Sequence, residues 1–188
     1  MSVLVIFMDP AFVGLAFVGA FVLMEKGAGT LSALKVTPLS ASIYLASKLT
    51  TFTVLGVVCG LPIAWATAGN TFNLPLMLLG LVLSNATAVL IGFASVVRTR
   101  SVNAFLANLL VVSVVLCLPL LSFFNIVPSV VADALKLIPS YAMLKVIEAG
   151  MDPVTSITVP VIYLAAWVTG GWLWCLREYD HHLVVQGQ

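Results

Sequence analysis

Charge is what this chain has least of: Asp, Glu, Lys and Arg make up 8% of its 188 residues, against 62% hydrophobic residues. An ordinary soluble domain carries about 25% charged residues. So few charges cannot clothe an apolar core, and a soluble globular fold is excluded. The net charge of +1 comes without any basic cluster, which gives nucleic acid nothing to bind. Cysteine is sparse too, and Cys59, Cys117 and Cys175 lie far apart within or beside apolar runs. They read as small hydrophobes, not as a disulfide frame or a metal site. His181 and His182, beside Asp180, read as part of a solvated tail rather than as metal ligands. No G-x-x-x-x-G-K-S/T stretch is present, so the chain has no phosphate-binding loop for hydrolysing ATP. The apolar runs offer no Ser-His pair, paired Asp or His cluster, which argues against an intramembrane enzyme.

What the chain does have is length of apolar sequence. A membrane-spanning helix needs about 20 apolar residues, and five runs supply them: 3–24, 43–68, 74–97, 102–124 and 154–175. The alternating pattern of a membrane β-barrel is absent. The reading is an all-α membrane protein: one transmembrane domain over 1–188, a bundle of five spanning helices in the lipid bilayer.

Lysine and arginine placement sets the expected orientation. If the break after the first run is cytoplasmic, Lys26, Lys35, Lys48, Arg98, Arg100 and Arg177 share that side, leaving Lys136 and Lys145 outside. The positive-inside rule favours this arrangement. The N-terminus is then outside and the C-terminus cytoplasmic, in a multi-pass protein of the cell membrane. No basic residue precedes Lys26, so the first run lacks the charged start of a signal peptide and is expected to stay in the protein.

The connections differ in length. Residues 69–73 and 98–101 read as tight turns between antiparallel neighbours, whereas 25–42 and 125–153 are long. In the outer loop, 125–153, Pro128 and Pro139 each open a stretch of helical spacing, and Gly150 with Asp152-Pro153 stops the second. Tyr141, Leu144 and Ile147 share one face of that stretch while Lys145 and Glu148 lie together elsewhere. Two short helices resting in the outer interface fit this pattern. In the cytoplasmic loop, 25–42, Thr30 can cap a helix beginning at Leu31, Pro38 ends it, and Ser40 can cap the next helix. Leu31 and Leu34 share a face beside Lys35, which suits either a solvated connector or a helix docked in a groove of a soluble partner.

Residues in this loop carry a family resemblance. Glu25-Lys26, Gly29-Thr30-Leu31, Leu34 and Thr37-Pro38-Leu39-Ser40 resemble the loop between the second and third spans of ABC type-2 exporter permeases. Ile138-Pro139-Ser140-Tyr141-Ala142, just before the last run, is similar to an outer-loop element of the same family. Asp9-Pro10-Ala11 through Val22-Leu23-Met24-Glu25-Lys26 looks most like the fluoroquinolone-export permeases. The resemblance implies a permease subunit whose loop helix couples it to separate ABC ATPase subunits, with Glu25, Lys26, Gly29, Thr30, Leu31, Leu34 and Pro38 as the coupling residues. It implies a second permease subunit, identical or different, and ATP with Mg acting in the partner ATPase, with no cofactor on this chain. The family's permeases have six spans, and this chain begins at what matches the second, without the first. The implied activity is multidrug efflux, the export of a small amphipathic compound. The alternative is a non-transporting membrane scaffold or assembly factor, or a truncated and decayed permease.

A few polar residues interrupt the runs. Asp9 lies 15 residues before Met24, about 22 Å along a helix rising about 1.5 Å per residue, in the outer part of the hydrocarbon. It reads either as an acid reaching the outer headgroups or as an interior carboxylate meeting a cationic group on the substrate. Lys48 is expected to snorkel to the cytoplasmic interface. Asn85, Asn103 and Asn108 suit hydrogen bonding between helices, and Gly56-x-x-x-Gly60 and Ala16-x-x-x-Ala20 suit close helix contact.

Overall fold

A computed structural model describes residues 2–28, 40–69, 71–97, 99, 101–152 and 156–179, excepting the side chains of 10–12 and 179. Among the described residues the structure is helical, with no strand. Helix α1 covers Ser2–Gly27, α2 Ala41–Ala68 and α3 Leu74–Val97. Helix α4 is Val102–Cys117 and α5 Pro119–Phe123; together they form one apolar span. Two helices of the outer loop follow, α6 (Ser129–Leu135) and α7 (Pro139–Met151), and then α8 (Thr158–Tyr179). Five helices are therefore long and apolar enough to cross a membrane, as the five runs predict. The last begins at Thr158 rather than Val154, with Ser156 and Ile157 outside the helix. Pro160 then falls in its first turn, where a missing N–H costs no hydrogen bond.

Helix α3 is the centre, packed against α1, α2, α7 and α8. No hydrophobic force drives helices together in lipid, so close packing must hold them. Gly92 makes that possible: a Cβ there would lie 2.5 Å from the Leu15 carbonyl oxygen, so only glycine lets α1 and α3 approach so nearly. On α1, buried Gly14 faces Ala88 of α3 and buried Gly19 faces Phe105 of α4, while Ala20 is exposed and Ala16 half-buried. The small-residue contact thus falls elsewhere on α1 than the Ala16/Ala20 spacing suggests. The outer faces of α4 and α8 expose Leu110, Val111, Val114, Ile162, Leu173 and Trp174, a surface suited to lipid.

The two short outer helices part company. No residue of α6 is buried, and Lys136 pairs with Asp133 at 2.7 Å, which holds its ammonium above the usual lysine range. Helix α7 instead sinks into the bundle, burying Ala142, Met143, Leu144, Val146, Ile147, Ala149 and Gly150. Its small residues explain the difference from an interfacial position. A Cβ on Gly150 would be 3.0 Å from the Met77 Cα, and the Asn73 N–H donates to the Gly150 carbonyl at 2.8 Å. The expected Lys145–Glu148 pair forms on the other face, at 2.7 Å.

Two hydrophobic cores result. One joins Val18 and Val22 of α1, Tyr44 to Phe52 of α2, and Val89 to Val97 of α3. The other joins Ile6 and Phe7 of α1, Ala64 of α2, Met77 and Leu81 of α3, and α7. Between them, on each of the three helices, lies a short polar or glycine-bearing stretch.

Candidate functional site

The first candidate site is where α1 and α2 flank the 25–42 loop. Glu25, near the end of α1, accepts hydrogen bonds at 2.5 Å from both Tyr44 Oη and Lys48 Nζ in the first turns of α2. The Lys48 and Glu25 side chains are 13% and 18% exposed, so this ion pair is sheltered from water and weakly screened. Lys48 also lies 4.2 Å from the centre of the Phe21 ring, a cation–π contact on the same face. Lys48 therefore turns inward to α1 instead of reaching for headgroups.

Lys26 points the other way, to α3. Its ammonium donates to the carbonyls of Val96 at 2.9 Å, Val97 at 2.7 Å and Thr99 at 3.1 Å. Those are the groups a helix C-terminus leaves without partners, and a cation is favoured there by the helix dipole. Glu25 and Lys26 together clasp the loop base to α2 and α3. Ser40 occupies the N-cap position of α2, but its hydroxyl meets Ser42 at 3.0 Å rather than a backbone N–H. Gly29, Thr30, Leu31, Leu34 and Pro38 lie outside the described residues.

The second candidate site is the layer between the two cores. Asp9 of α1 is 6% exposed and Asn85 of α3 fully buried. The Asn85 side chain neighbours the Asp9 carboxyl, and its Nδ2 donates to the Leu81 carbonyl at 3.0 Å. Gly56 and Gly60 of α2 make the room: a Cβ at Gly56 would collide with the Asn85 amide, and one at Gly60 would stand 3.0 Å from Asp9 Oδ2. The glycine pair that the sequence marks for helix contact thus faces the two polar residues it marks separately. Asp9 Oδ2, Asn85 Oδ1, Thr53 Oγ1 and Ser84 Oγ are all buried without a hydrogen-bond partner. Directly after Asp9, the backbone of Pro10–Phe17 winds as a π-helix, a rare form that is frequent at functional sites.

A lateral cleft of about 760 Å³ opens between α3, α4 and α8, bordered by Ser95, Asn108, Trp167 and Trp174. Asn108 donates to the Ser95 carbonyl at 2.9 Å, the interhelical role its position suggests. Asp9 does not border this cleft; α2 and α3 enclose it. Thr99 belongs to both regions, since its carbonyl is held by Lys26 and it borders the cleft. The Glu25–Lys48 pairing and the joining of Asp9 to Asn85 escape sequence reasoning, because both depend on how far each helix is turned about its axis.

Known proteins resemble this chain over most of its length. Residues 2–187 match the family model described as the fluoroquinolones export permease protein family. Two proteins from different strains of Mycobacterium tuberculosis, each named a fluoroquinolones export permease protein, are 31% identical over 163 residues. Those residues are 86% of this chain and 64% of each relative, so the chain spans a little under two thirds of the length of the relatives it matches. No solved structure matches.

Proposed function

Since the chain belongs to the fluoroquinolones export permease family, we propose that it is the membrane permease subunit of an ATP-driven ABC exporter. Its cargo is a small amphipathic compound of the fluoroquinolone type, carried out of the cell. Separate ABC ATPase subunits, using ATP and Mg, supply the energy, and a second permease subunit, identical or different, completes the pathway. In this reading the chain crosses the cell membrane with its N-terminus outside and its C-terminus and the 25–42 loop in the cytoplasm.

The observation that carries the reading is the double clasp at the loop base. A segment docked on an ATPase can move helices only if its ends are fixed to them. Glu25 fixes α1 to α2 through Tyr44 and Lys48, and Lys26 fixes α1 to the end of α3. A push on residues 29–39 therefore moves α1, α2 and the last turn of α3 together. That turn leads to Thr99 at the border of the lateral cleft, so the same push changes the cleft's width. Motion of this kind, one packed element sliding past another, is an ordinary switching mode.

The test is co-expression with the partner ATPase, followed by co-purification and by ATP-dependent uptake of a fluoroquinolone into inside-out membrane vesicles. Assembly with ATP-dependent uptake supports the whole reading. Assembly without uptake removes the drug as cargo, and failure to assemble removes the ABC reading itself.

A further inference from the structure

A carboxylate in the middle of a membrane bundle is costly unless a cation or a set of donors meets it, and without them the group becomes neutral. Asp9 has the hydrophobic core of Ile6, Phe7 and Leu81 on one side and that of Val18 and Val89 on the other. The groups facing it are Gly60 and Leu81 by contact and Asn85 by its side chain, and among the described residues no charged group acts on it. Its Oδ2 has no donor, and nearby Asn85 Oδ1 has none either. Asn85 Nδ2 keeps one N–H on the Leu81 carbonyl, so the Asn85 side chain offers the Asp9 carboxyl a single donor, too little for a buried charge.

A metal cation fits this place badly. Oxygen-loving cations take six or more oxygen ligands, whereas beside Asp9 Oδ2 stand the backbone of Gly60 on α2 and, next to it, the Leu81 methyl groups of α3. A proton needs no such shell. It turns an unpartnered acceptor into a donor and removes the buried charge in one step.

We infer that Asp9 is a proton-binding site, and that the bound proton holds α1 against α2 and α3. The π-wound segment gives the lock a moving part. Rewinding Pro10–Phe17 toward an α-helix would turn Asp9 about the helix axis relative to Val18–Gly27, swinging the carboxyl away from Gly60 and Asn85. The packed arrangement holds one more proton than an arrangement with Asp9 ionised in water, so raising the pH favours opening. The lock is a property of the bundle and does not depend on which cargo is carried.

The test is infrared spectroscopy of the purified chain in lipid nanodiscs at pH 5, comparing the wild type with Asp9→Asn. The expected result is a protonated-carboxyl stretching band in the wild type that is lost in Asp9→Asn. A second measurement needs no variant: labelling aspartate with carbon-13 in the wild type should move the same band. Melting curves complete the test, with wild-type stability falling as pH rises and Asp9→Asn showing less of that fall. A spectrum without the band, or a band that labelled aspartate leaves in place, overturns the inference. So does a band that disappears on adding sodium, because a metal cation would then be the occupant.

Discussion

Lys48 Nζ stands 2.5 Å from Glu25 Oε1, and this one ion pair bridges the two helices that flank the 25–42 loop. The pair is partly buried and shares Glu25 with the Tyr44 hydroxyl, so the carboxylate is the centre of a three-residue knot. Removing the carboxylate leaves a sheltered ammonium without its counter-charge, which is the costly way to break such a pair.

Replacing Glu25 by Gln should therefore destabilise the chain by about 2 kcal/mol, the range of hydrogen bonds to charged groups. Thermal unfolding in detergent or nanodiscs measures this. Exchanging the charges, Glu25→Lys with Lys48→Glu, should recover part of the loss, and a double-mutant cycle gives the coupling. A loss in the double variant equal to the sum of the losses in Glu25→Lys and Lys48→Glu alone would mean the pair contributes no coupling.

Lys26→Met keeps the length of the side chain and removes its hydrogen bonds to two α3 carbonyls, Val96 and Val97, and to that of Thr99 just beyond. Stability should fall by about 1–2 kcal/mol, a cap with charge–dipole support. Hydrogen exchange should rise selectively in residues 93–97, the last turn of α3. Uniform exchange across α3 would show that Lys26 does not hold this end.

The glycine pair of α2 is predicted to tolerate no side chain. Gly56→Ala forces a methyl into the Asn85 amide, and Gly60→Ala presses on Asp9 Oδ2 and Leu81 Cδ2. Overpacking of this kind costs about 1–3 kcal/mol. Asn85→Ala should relieve Gly56→Ala and do little for Gly60→Ala, a pattern read from melting temperatures of the three single and two double variants. Equal relief of both would place Asn85 elsewhere.

Leu34→Asp is predicted to leave the bundle stable, because position 34 lies outside the five spanning helices, and to weaken ATPase association. Co-purification from membranes reads the association and a melting curve reads the bundle. Full recovery of the ATPase with this variant would remove Leu34 from the docking surface.

The spans were legible in the sequence because hydrocarbon thickness imposes a length and the chain has too few charges to hide it. Their ends at residues 68, 74, 97 and 102 agree with the helices, where Gly69 and Ser101 act as stop and cap. Helix α7 shows where that reading stops. Its mixed composition fits a surface or an interior equally, and only the contact of Gly150 with Met77 decides for the interior. The candidate sites divide in the same way. Asp9, Asn85, Gly56 and Gly60 are each conspicuous alone, but their meeting depends on helix rotation, which a nearly uniform apolar pattern leaves undetermined. Glu25 and Lys26 were singled out by resemblance, while their partners Tyr44, Lys48 and the α3 carbonyls had no sequence signal tying them to the loop.

In the proposed exporter Lys26 passes motion from the cytoplasmic loop to the end of α3, and coupled transport assays of Lys26→Met decide whether it does. The chain, its partner ATPase and any second permease subunit are reconstituted in proteoliposomes, and ATP hydrolysis and ATP-driven fluoroquinolone transport are measured in the same sample for wild type and Lys26→Met. Hydrolysis should persist while transport per ATP falls about tenfold, the factor corresponding to about 1.4 kcal/mol of lost coupling. Unchanged transport per ATP in a stably assembled Lys26→Met complex would contradict the account.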